Sequence, residues 1–463
     1  MKLITPRPYQ TEAVRTLLRS PGMILADDQG LGKTGMATWA ARERKGPILV
    51  VSRPLNKPFW ADTIRTLDPE ADVEVAVQGG RFDVARVTSW FRHPRRRGYL
   101  IIHHEMLQTP TRKATGDIMR NVALQLKNMG VWDTIIVDEA HRLKKSSTQQ
   151  MKSLRNIPCL YKWALSGSIQ EKSPADYWAF LNWFAPKEFN SYWHFADRYV
   201  EVADKEWGGR KIVGVKNLPE LAQRVAPYYL RRTKEQVQPD LPPKIYQPVP
   251  LEMYPKQKEL YRKLCDETFA DLAEYGGSEE LFIGSDLKSL ILQRRCALDP
   301  SLLNTDVPSV KVDWLLDWVQ DNEEPFIVFT TSVQFADGLP VLLKGGAAIS
   351  GTVAHKQRDQ HIVDFNEGRL RYLVATYDTT AESINLQHAS VAILLDPHPR
   401  ALFMDQAPNR LHRMDIVRSP LIIQPACVGT IDEVVYEGLE KKWADIELVR
   451  AAIAHVKSVH ANS

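Results

Sequence analysis

The stretch ADDQGLGKT, Ala26–Thr34, holds the residue types that grip a phosphate. Gly30 and Gly32 let a backbone turn with its N–H groups facing inward. Lys33 supplies a point charge for β- and γ-phosphates, and Thr34 supplies a hydroxyl for Mg²⁺ at the start of the following helix. The general pattern G-x-x-x-x-G-K-[ST] has Asp27 in place of its first glycine. The same stretch also reads as a strand–turn–helix with a surface lysine. Further along, WDTIIVDEAH ends an apolar strand at Asp138-Glu139. Adjacent carboxylates there can divide two tasks, Asp138 on a metal ion and Glu139 on the attacking water. The alternative is an acidic helix start, which favours Asp and Glu in any protein. Taken together, the two stretches favour phosphate chemistry. Arg410 and Arg413 in DQAPNRLHRMD lie three residues apart, on one face of a helix or turn. Such a pair neutralises charge developing on a γ-phosphate, or it is a pair of solvated arginines.

These residues need elements to hold them. The chain has 463 residues, enough for two large domains with insertions. Hydrophobic residues make up 44% and charged residues 25%, an ordinary globular composition. The net charge of +4 permits a nucleic-acid partner without demanding one. Cys159, Cys265, Cys296 and Cys427 lie far apart with no C-x-x-C pair, which argues against a zinc site or a disulfide framework. The start, MKLITPRPYQ, lacks the apolar centre of a signal peptide, and no apolar run is long enough to cross a membrane. A soluble protein of a reducing compartment is expected.

Apolar runs recur as MILAD, PILVVS, YLIIHH, TIIVDE and YKWALSGS, and later as PFIVFTT, RYLVAT, VAILLD and PLIIQP. Consecutive apolar positions suit strands buried on both faces, and helical segments such as Gln10–Arg19 and Asp176–Phe184 lie between them. The fold class is therefore α/β with parallel sheets. Residues 1–185 are expected to form the first lobe and 186–237 a helical insertion. The proline-rich stretch 238–250 reads as an extended linker. A second lobe is expected over 251–430, with a helical insertion near 253–303, and terminal helices over 431–463. Trp178, Trp183, Trp314 and Trp318 are spaced for helix faces packed in a core.

The motifs in order resemble the Swi/Snf-type DNA-dependent ATPases of helicase superfamily two. The likeness is collinear from Pro6 to Tyr436. RPYQ resembles the family's adenine-reading motif, which would make Gln10 the contact to the base. ADDQGLGKT resembles ADEMGLGKT, which also carries an acid at the first-glycine position. ILVVSRPLNKPFW and LIIHHEML fall where first-lobe DNA contacts fall. DEAH matches outright and suggests a minimal DEAH-box variant without accessory domains. LSGSIQE resembles LTGTPIQN, keeping hydroxyls at Ser166 and Ser168. YLRRTKEQVQPDLPPK resembles the lobe-connecting LRRTKxxVxxxLPxK. LQRRC resembles part of LRQICNHP, QAPNRLHR resembles QAxxRxHR, and GTIDEVVYE resembles GTIEExI.

The resemblance implies two RecA-like lobes, each a parallel sheet flanked by helices, with helical insertions between them. It implies ATP on Gln10, Gly30, Gly32, Lys33 and Thr34, with Mg²⁺ on Thr34 and Asp138. Lys33, Asp138, Glu139, Arg410 and Arg413 would serve catalysis. The expected partner is DNA, duplex or branched rather than RNA, contacted chiefly through phosphates. No membrane partner is expected, a protein partner is not indicated, and the chain is expected to work as a monomer. The lack of added modules points to replication, recombination or repair in a bacterial, archaeal or viral cytoplasm, or the nucleus if eukaryotic. Two alternatives stand beside the motor: an ATP-regulated DNA clamp with little turnover, and a strand-separating DNA or RNA helicase. The family's GGxGINL is TAESINL here, with Thr380, Ala381 and Ser383 at the usual glycine positions. That favours altered coupling between DNA and ATP. The cluster RHPRRRG, Arg92–Gly98, reads as a phosphate contact or a solvated loop.

Overall fold

The structure is a computed structural model. It describes residues 5–461 except 77–81, 94–96, 109–121, 146, 168, 171–172, 205–209, 275–278, 381–385, 387, 413–415 and 417. The chain forms two compact units. The first comprises Met1–Pro239 and Ala444–Ser463, the second Asp240–Trp443.

The first unit is built on β1 (Gly22–Leu25), β2 (Ile48–Ser52), β3 (Asp72–Val75), β4 (Gly98–His103), β5 (Trp132–Asp138) and β6 (Cys159–Leu165). A separate hairpin, β7 (Val200–Asp204) and β8 (Arg210–Val215), is followed by the two-residue β9 (Tyr229–Leu230). The main sheet runs β3-β4-β2-β5-β6-β1-β9, and every pairing in it is parallel. All residues of β1 and β2 are buried, so both faces are covered by helices, as consecutive apolar runs require. Those helices include α1 (Pro8–Arg19), α2 (Lys33–Arg42) and α3 (Lys57–Leu67). The core is heavy in tryptophan. Trp132 lies edge-on to Phe91 at 4.9 Å and gives its indole N–H to the Leu126 carbonyl at 3.1 Å. Truncating such a side chain to alanine costs about 3–5 kcal/mol.

The second unit carries β10 (Ile245–Leu251), β11 (Phe326–Thr330), β12 (Gly346–Ile349), β13 (Tyr372–Thr376), β14 (Val391–Leu394) and β15 (Leu421–Cys427). Its sheet runs β10-β15-β14-β11-β13-β12, again all parallel. The expected α/β class is thus observed: two parallel sheets, each flanked by helices.

Several expectations are changed. The span 186–237 is not purely helical. It holds the helices Tyr192–Tyr199 and Leu218–Val225, but also the β7–β8 hairpin and the edge strand β9. The proline-rich stretch is no free linker, because β10 occupies its second half and pairs along its length with β15. Strand formation survives the prolines because β10 is an edge. The Ile245 N–H donates inward to the Pro420 carbonyl. By alternation, the ring nitrogens of Pro248 and Pro250 lie on the outward side, where no ladder bond is lost. The end of the chain is one helix, Ile431–Ala461. Its Leu439 joins a core of the second unit, while Val449 and Ile453 join the core of the first.

Candidate active site

The register of the first sheet brings the chemistry together. Leu25 of β1 pairs with Leu165 of β6, and Leu165 pairs with Asp138 of β5. Three neighbouring strands therefore end level. The loops that follow β1, β5 and β6, in that order 26–32, 139–143 and 166–170, emerge at the carboxyl edge of the sheet, where α/β proteins place their ligands.

The first of these loops is the candidate phosphate loop. Gly30 and Gly32 have φ of 86° and 84°, a conformation that glycine adopts without a steric penalty. Gly32 caps α2, so Lys33 and Thr34 are the first helical residues. A side chain at Gly32 would also meet the amide of Gln10, whose Nε2 lies 2.6 Å from an ideal Cβ. Gln10 and the Tyr9 hydroxyl both donate to the Leu31 carbonyl, at 3.2 and 3.1 Å. The end of α1 that carries Gln10 is thereby fastened to the loop. The Lys33 ammonium donates to the carbonyls of Asp27 at 2.6 Å and Asp28 at 3.0 Å, so it lies folded over the loop.

Asp27, the residue in the glycine's place, is fully buried. Burial raises its carboxyl pKa, and Arg232 opposes that shift. Arg232 donates from Nη2 to Oδ2 at 2.5 Å, from Nε to Oδ1 at 3.2 Å and from its backbone N–H to Oδ1 at 2.9 Å. Asp28 is engaged similarly, accepting from Arg231 at 3.3 Å and from the Lys234 N–H at 3.2 Å. The motifs mark Asp27 only as a departure from glycine and include Arg232 only within the lobe-connecting stretch, and they give neither a role in the site. The arginine-rich run Leu230–Lys234 was the available signal.

The acidic pair sits on the second loop. Asp138 Oδ2 accepts from the Trp60 indole at 2.9 Å and the Asn56 amide at 3.4 Å, and Oδ1 accepts from the Glu139 N–H at 2.9 Å. Burial and the neighbouring Glu139 push the Asp138 carboxyl up to about 6. Glu139 itself has φ of 47°, a left-handed conformation uncommon outside glycine. Such strain persists only where surroundings over-determine it, and it clusters at functional sites. His141 bridges the second and third loops. Its Nδ1 lies 3.3 Å from Glu139 Oε2 and 3.1 Å from the Ser166 hydroxyl. Beneath them the His104 ring, pushed down to about 3 by burial and so neutral, donates from Nε2 to the Asp138 carbonyl at 2.9 Å.

The third loop closes on the first. Ser166 N–H donates to the Leu25 carbonyl at 3.1 Å. A Cβ on Gly167 would lie 3.3 Å from the Asp27 carbonyl and 3.8 Å from Lys33 Nζ. The Gly167 carbonyl in turn accepts from Arg450 at 3.0 Å. Ser168 lies outside the described residues.

Arg410 belongs to the second unit. It ends a short turn, Pro408–Arg410, after the helix Ala401–Gln406, and is mostly buried. The next segment is pinned where His412 donates to the Pro242 carbonyl at 2.8 Å. Arg413, Ala381 and Ser383 lie outside the described residues, as does the side chain of Thr380. In the Arg92–Gly98 cluster, residues 94–96 lie outside them too. Arg97 departs from the phosphate expectation, because its guanidinium grips the buried Asp68 carboxylate, Nε to Oδ2 at 2.6 Å.

Comparison with known proteins places these features. The model of the SNF2-related domain matches residues 9–302, and that of the helicase conserved C-terminal domain matches 310–415. A Bacillus subtilis protein named as an ATP-dependent helicase/translocase, YwqA, is 24% identical over 470 residues, covering 95% of this chain and 48% of its own. An Arabidopsis thaliana ISWI chromatin-remodeling complex ATPase, CHR17, is 25% identical over 98% of this chain and 43% of its own. The chain thus spans about half the length of the curated relatives it matches. Among solved structures, the Sulfolobus solfataricus SWI2/SNF2 ATPase core in complex with dsDNA is 21% identical, with a TM-score of 0.42, covering 94% of this chain and 92% of that one. The DEAH-box expectation is corrected here. The tetrapeptide Asp138–His141 is present, but the matching family is SNF2-related.

Proposed function

The chain belongs to the SNF2-related family, and from that premise we propose that it is a DNA-dependent ATPase, a motor that hydrolyses ATP while tracking on double-stranded DNA. The observation that supports the reading is the level ending of β1, β6 and β5, which brings the loop before Lys33 and Thr34 and the Asp138-Glu139 pair to the same edge of one sheet. Gln10 contacts the adenine. The N–H groups of the loop around Gly30 and Gly32 cradle the phosphates, and Lys33 exchanges its two carbonyl partners for phosphate oxygens. Glu139 orients the attacking water and takes its proton, while His141, itself in contact with the Ser166 hydroxyl, holds the glutamate. Arg410 and Arg413 are assigned the charge that builds on the γ-phosphate. Thr34 and Asp138 are suited to Mg²⁺, because two adjacent carboxylates with neutral donors around Asp138 leave negative charge for a cation to take. When bound, Mg²⁺ neutralises phosphate charge in this chemistry.

The DNA reading is supported by the second unit as well. A pocket at the end of β11 is lined by Arg294, Arg295, Thr331, Ser332, Gln334 and the Asp337 carboxylate, and with Arg294 turned to Asp396 and the Pro397 carbonyl, Arg295 and Gln334 are the donors suited to phosphate oxygens. Replication, recombination or repair, in a bacterial, archaeal or viral cytoplasm, is the proposed setting, and a monomer the proposed working form.

ATP hydrolysis measured with duplex DNA, single-stranded DNA, RNA or none, beside Lys33→Ala, tests the reading. Strong stimulation by duplex, lost in the variant, is expected. Stimulation by single strands or RNA alone would favour a strand-separating helicase. ATP-dependent DNA binding without turnover would favour a clamp, the reading to which TAESINL gives support.

A further inference from the structure

We propose that Arg232 positions the phosphate loop, through Asp27, from the chain segment that leads out of the first unit. The assignment rests on the reading of Ala26–Thr34 as the ATP site. Asp27 and Arg232 are 205 residues apart in sequence, and together they replace what a glycine does in the general pattern.

A first-position glycine needs no partner. A fully buried aspartate does, since an uncompensated carboxylate inside a protein is strongly unfavourable. Arg232 supplies it with a planar fork and its own backbone N–H, at 2.5, 3.2 and 2.9 Å. The geometry fixes both the position and the rotation of the carboxylate, as a single ammonium would not. The same guanidinium reaches two other parts of the site. Nη1 donates to the Tyr9 carbonyl, with the guanidinium carbon 5.4 Å from the centre of the Tyr9 ring, and Nη2 lies 3.8 Å from Met36 Sδ. One side chain thus ties the start of the loop to α1, which carries Gln10, and to α2, which carries Lys33 and Thr34.

Two further contacts give the clamp leverage. The Asp27 carbonyl is the nearer partner of Lys33 Nζ, at 2.6 Å, so displacing Asp27 displaces the lysine. The backbone around Arg232 is laced to the same loop. Ala26 N–H donates to the Leu230 carbonyl at 2.7 Å, and Asp28 N–H to the Arg232 carbonyl at 3.0 Å. This segment continues to Pro239, where the first unit ends. The residue that sets the loop therefore stands on the connector, and a change in the loop's position is felt there mechanically.

The test is equilibrium binding of a fluorescent ATP analogue with Mg²⁺, and steady-state hydrolysis, for the full chain and five variants. Arg232→Ala is expected to weaken binding and raise KM for ATP on the order of tenfold to a hundredfold, with kcat reduced less. Arg232→Lys keeps the charge but not the fork and is expected to restore little. Asp27→Asn with Arg232→Ala removes the buried charge, so it folds even where the single variant does not, and it is expected to stay weak; Asp27→Asn alone is expected to lie between. Wild-type affinity in any of three variants overturns the proposal: in Arg232→Ala it would mean that the loop needs no arginine, and in Arg232→Lys or the double variant that neutralising Asp27 is all the arginine does. Lys33→Ala separates the two readings. If the wild-type chain binds ATP and Lys33→Ala does not, wild-type affinity in Arg232→Ala removes the Arg232 assignment alone. If the wild-type chain binds no ATP, the functional reading falls and this one with it.

Discussion

Both units place acids at or just beyond the carboxyl ends of parallel strands, and these acids are neutralised in different ways. In the second unit Asp396, just after β14, accepts the Thr331 N–H at 3.0 Å and faces the Arg294 guanidinium at 3.5 Å. Asp432, after β15, is paired at 2.6 Å with Lys311, itself wholly buried. In the first unit Asp138 is held by an indole, an amide and a backbone N–H, all neutral, and stands next to a second carboxylate. An acid compensated by a built-in cation is part of the scaffold. An acid held by neutral donors keeps its charge for a cation from outside. Asp27 of the first unit, just after β1, follows the second unit's rule through Arg232, so of these four strand-end acids Asp138 is the one left to neutral donors, and who neutralises a carboxylate separates the structural acids from the chemical one.

The largest effect that would sharpen this contrast is Glu139→Gln. Turnover is expected to fall about a hundredfold or more while ATP binding persists, since a general base typically contributes that much. Unchanged turnover in a rapid-quench assay would break the chemical half of the comparison. The matching change in the second unit is Lys311→Met. It strands the buried Asp432 and is expected to cost about 3–5 kcal/mol in urea unfolding. Adding Asp432→Asn is expected to recover most of that. A loss below about 1 kcal/mol in the single variant would mean that the pair is no keystone.

The next effects are of pH, and two touching residues run in opposite directions. Asp138 is raised from an ordinary 3.8 to about 6, so the stability it gives is full below 3.8 and is lost as pH rises through about 6. His104 is depressed from 6.5 to about 3, so its stability is full above 6.5 and is lost as pH falls toward about 3. Thermal unfolding of Asp138→Asn and His104→Gln across pH 3 to 7 is expected to flatten one limb each, by on the order of 1–3 kcal/mol. The glutamine amide can still donate to the Asp138 carbonyl, so a change in both limbs would point to lost packing instead. The smallest contrast concerns glycine. Gly32→Ala, with φ of 84° and the Gln10 amide in the way, is expected to lose about 1–2 kcal/mol and weaken ATP binding. Gly351→Ala in the second unit, with nothing within 4 Å, should stay within about 0.5 kcal/mol.

Nine apolar runs were legible as strands because positions buried on both faces are filled by consecutive apolar side chains, β6 being the main exception, read from its apolar residues although its first four positions are only partly covered or exposed. Lys33, Thr34, Asp138 and Glu139 were legible because their spacing to a strand end is local. Six strands escaped notice, β3, β7, β8, β9, β10 and β12, and none holds a run of three Val, Ile or Leu residues. β3 is DVEV, half charged and only partly buried. β9 is two residues long, and β10 hides among prolines that usually exclude a ladder. The site's supporting residues escaped for another reason. Trp60 reaches Asp138 across 78 residues, and Arg232 reaches Asp27 across 205. No local pattern carries a contact of that separation, and only the folded sheet brings the partners together. Arg97 is the converse case. A basic run invites a phosphate reading, but this arginine is spent on Asp68 inside the fold.

The outward prolines of β10 bear on how this protein behaves at high concentration. An exposed parallel edge normally offers a row of donors and acceptors to any extended chain that passes, and so invites strand addition and fibrous association. On the outer side of β10, Pro248 and Pro250 remove two successive donors, so an incoming strand finds carbonyls with no matching N–H at those positions and only the Tyr246 N–H before them. The residues that look like a flexible tether in the sequence therefore make this side of the sheet a poor template for polymerisation, at no cost to the ladder they form with β15.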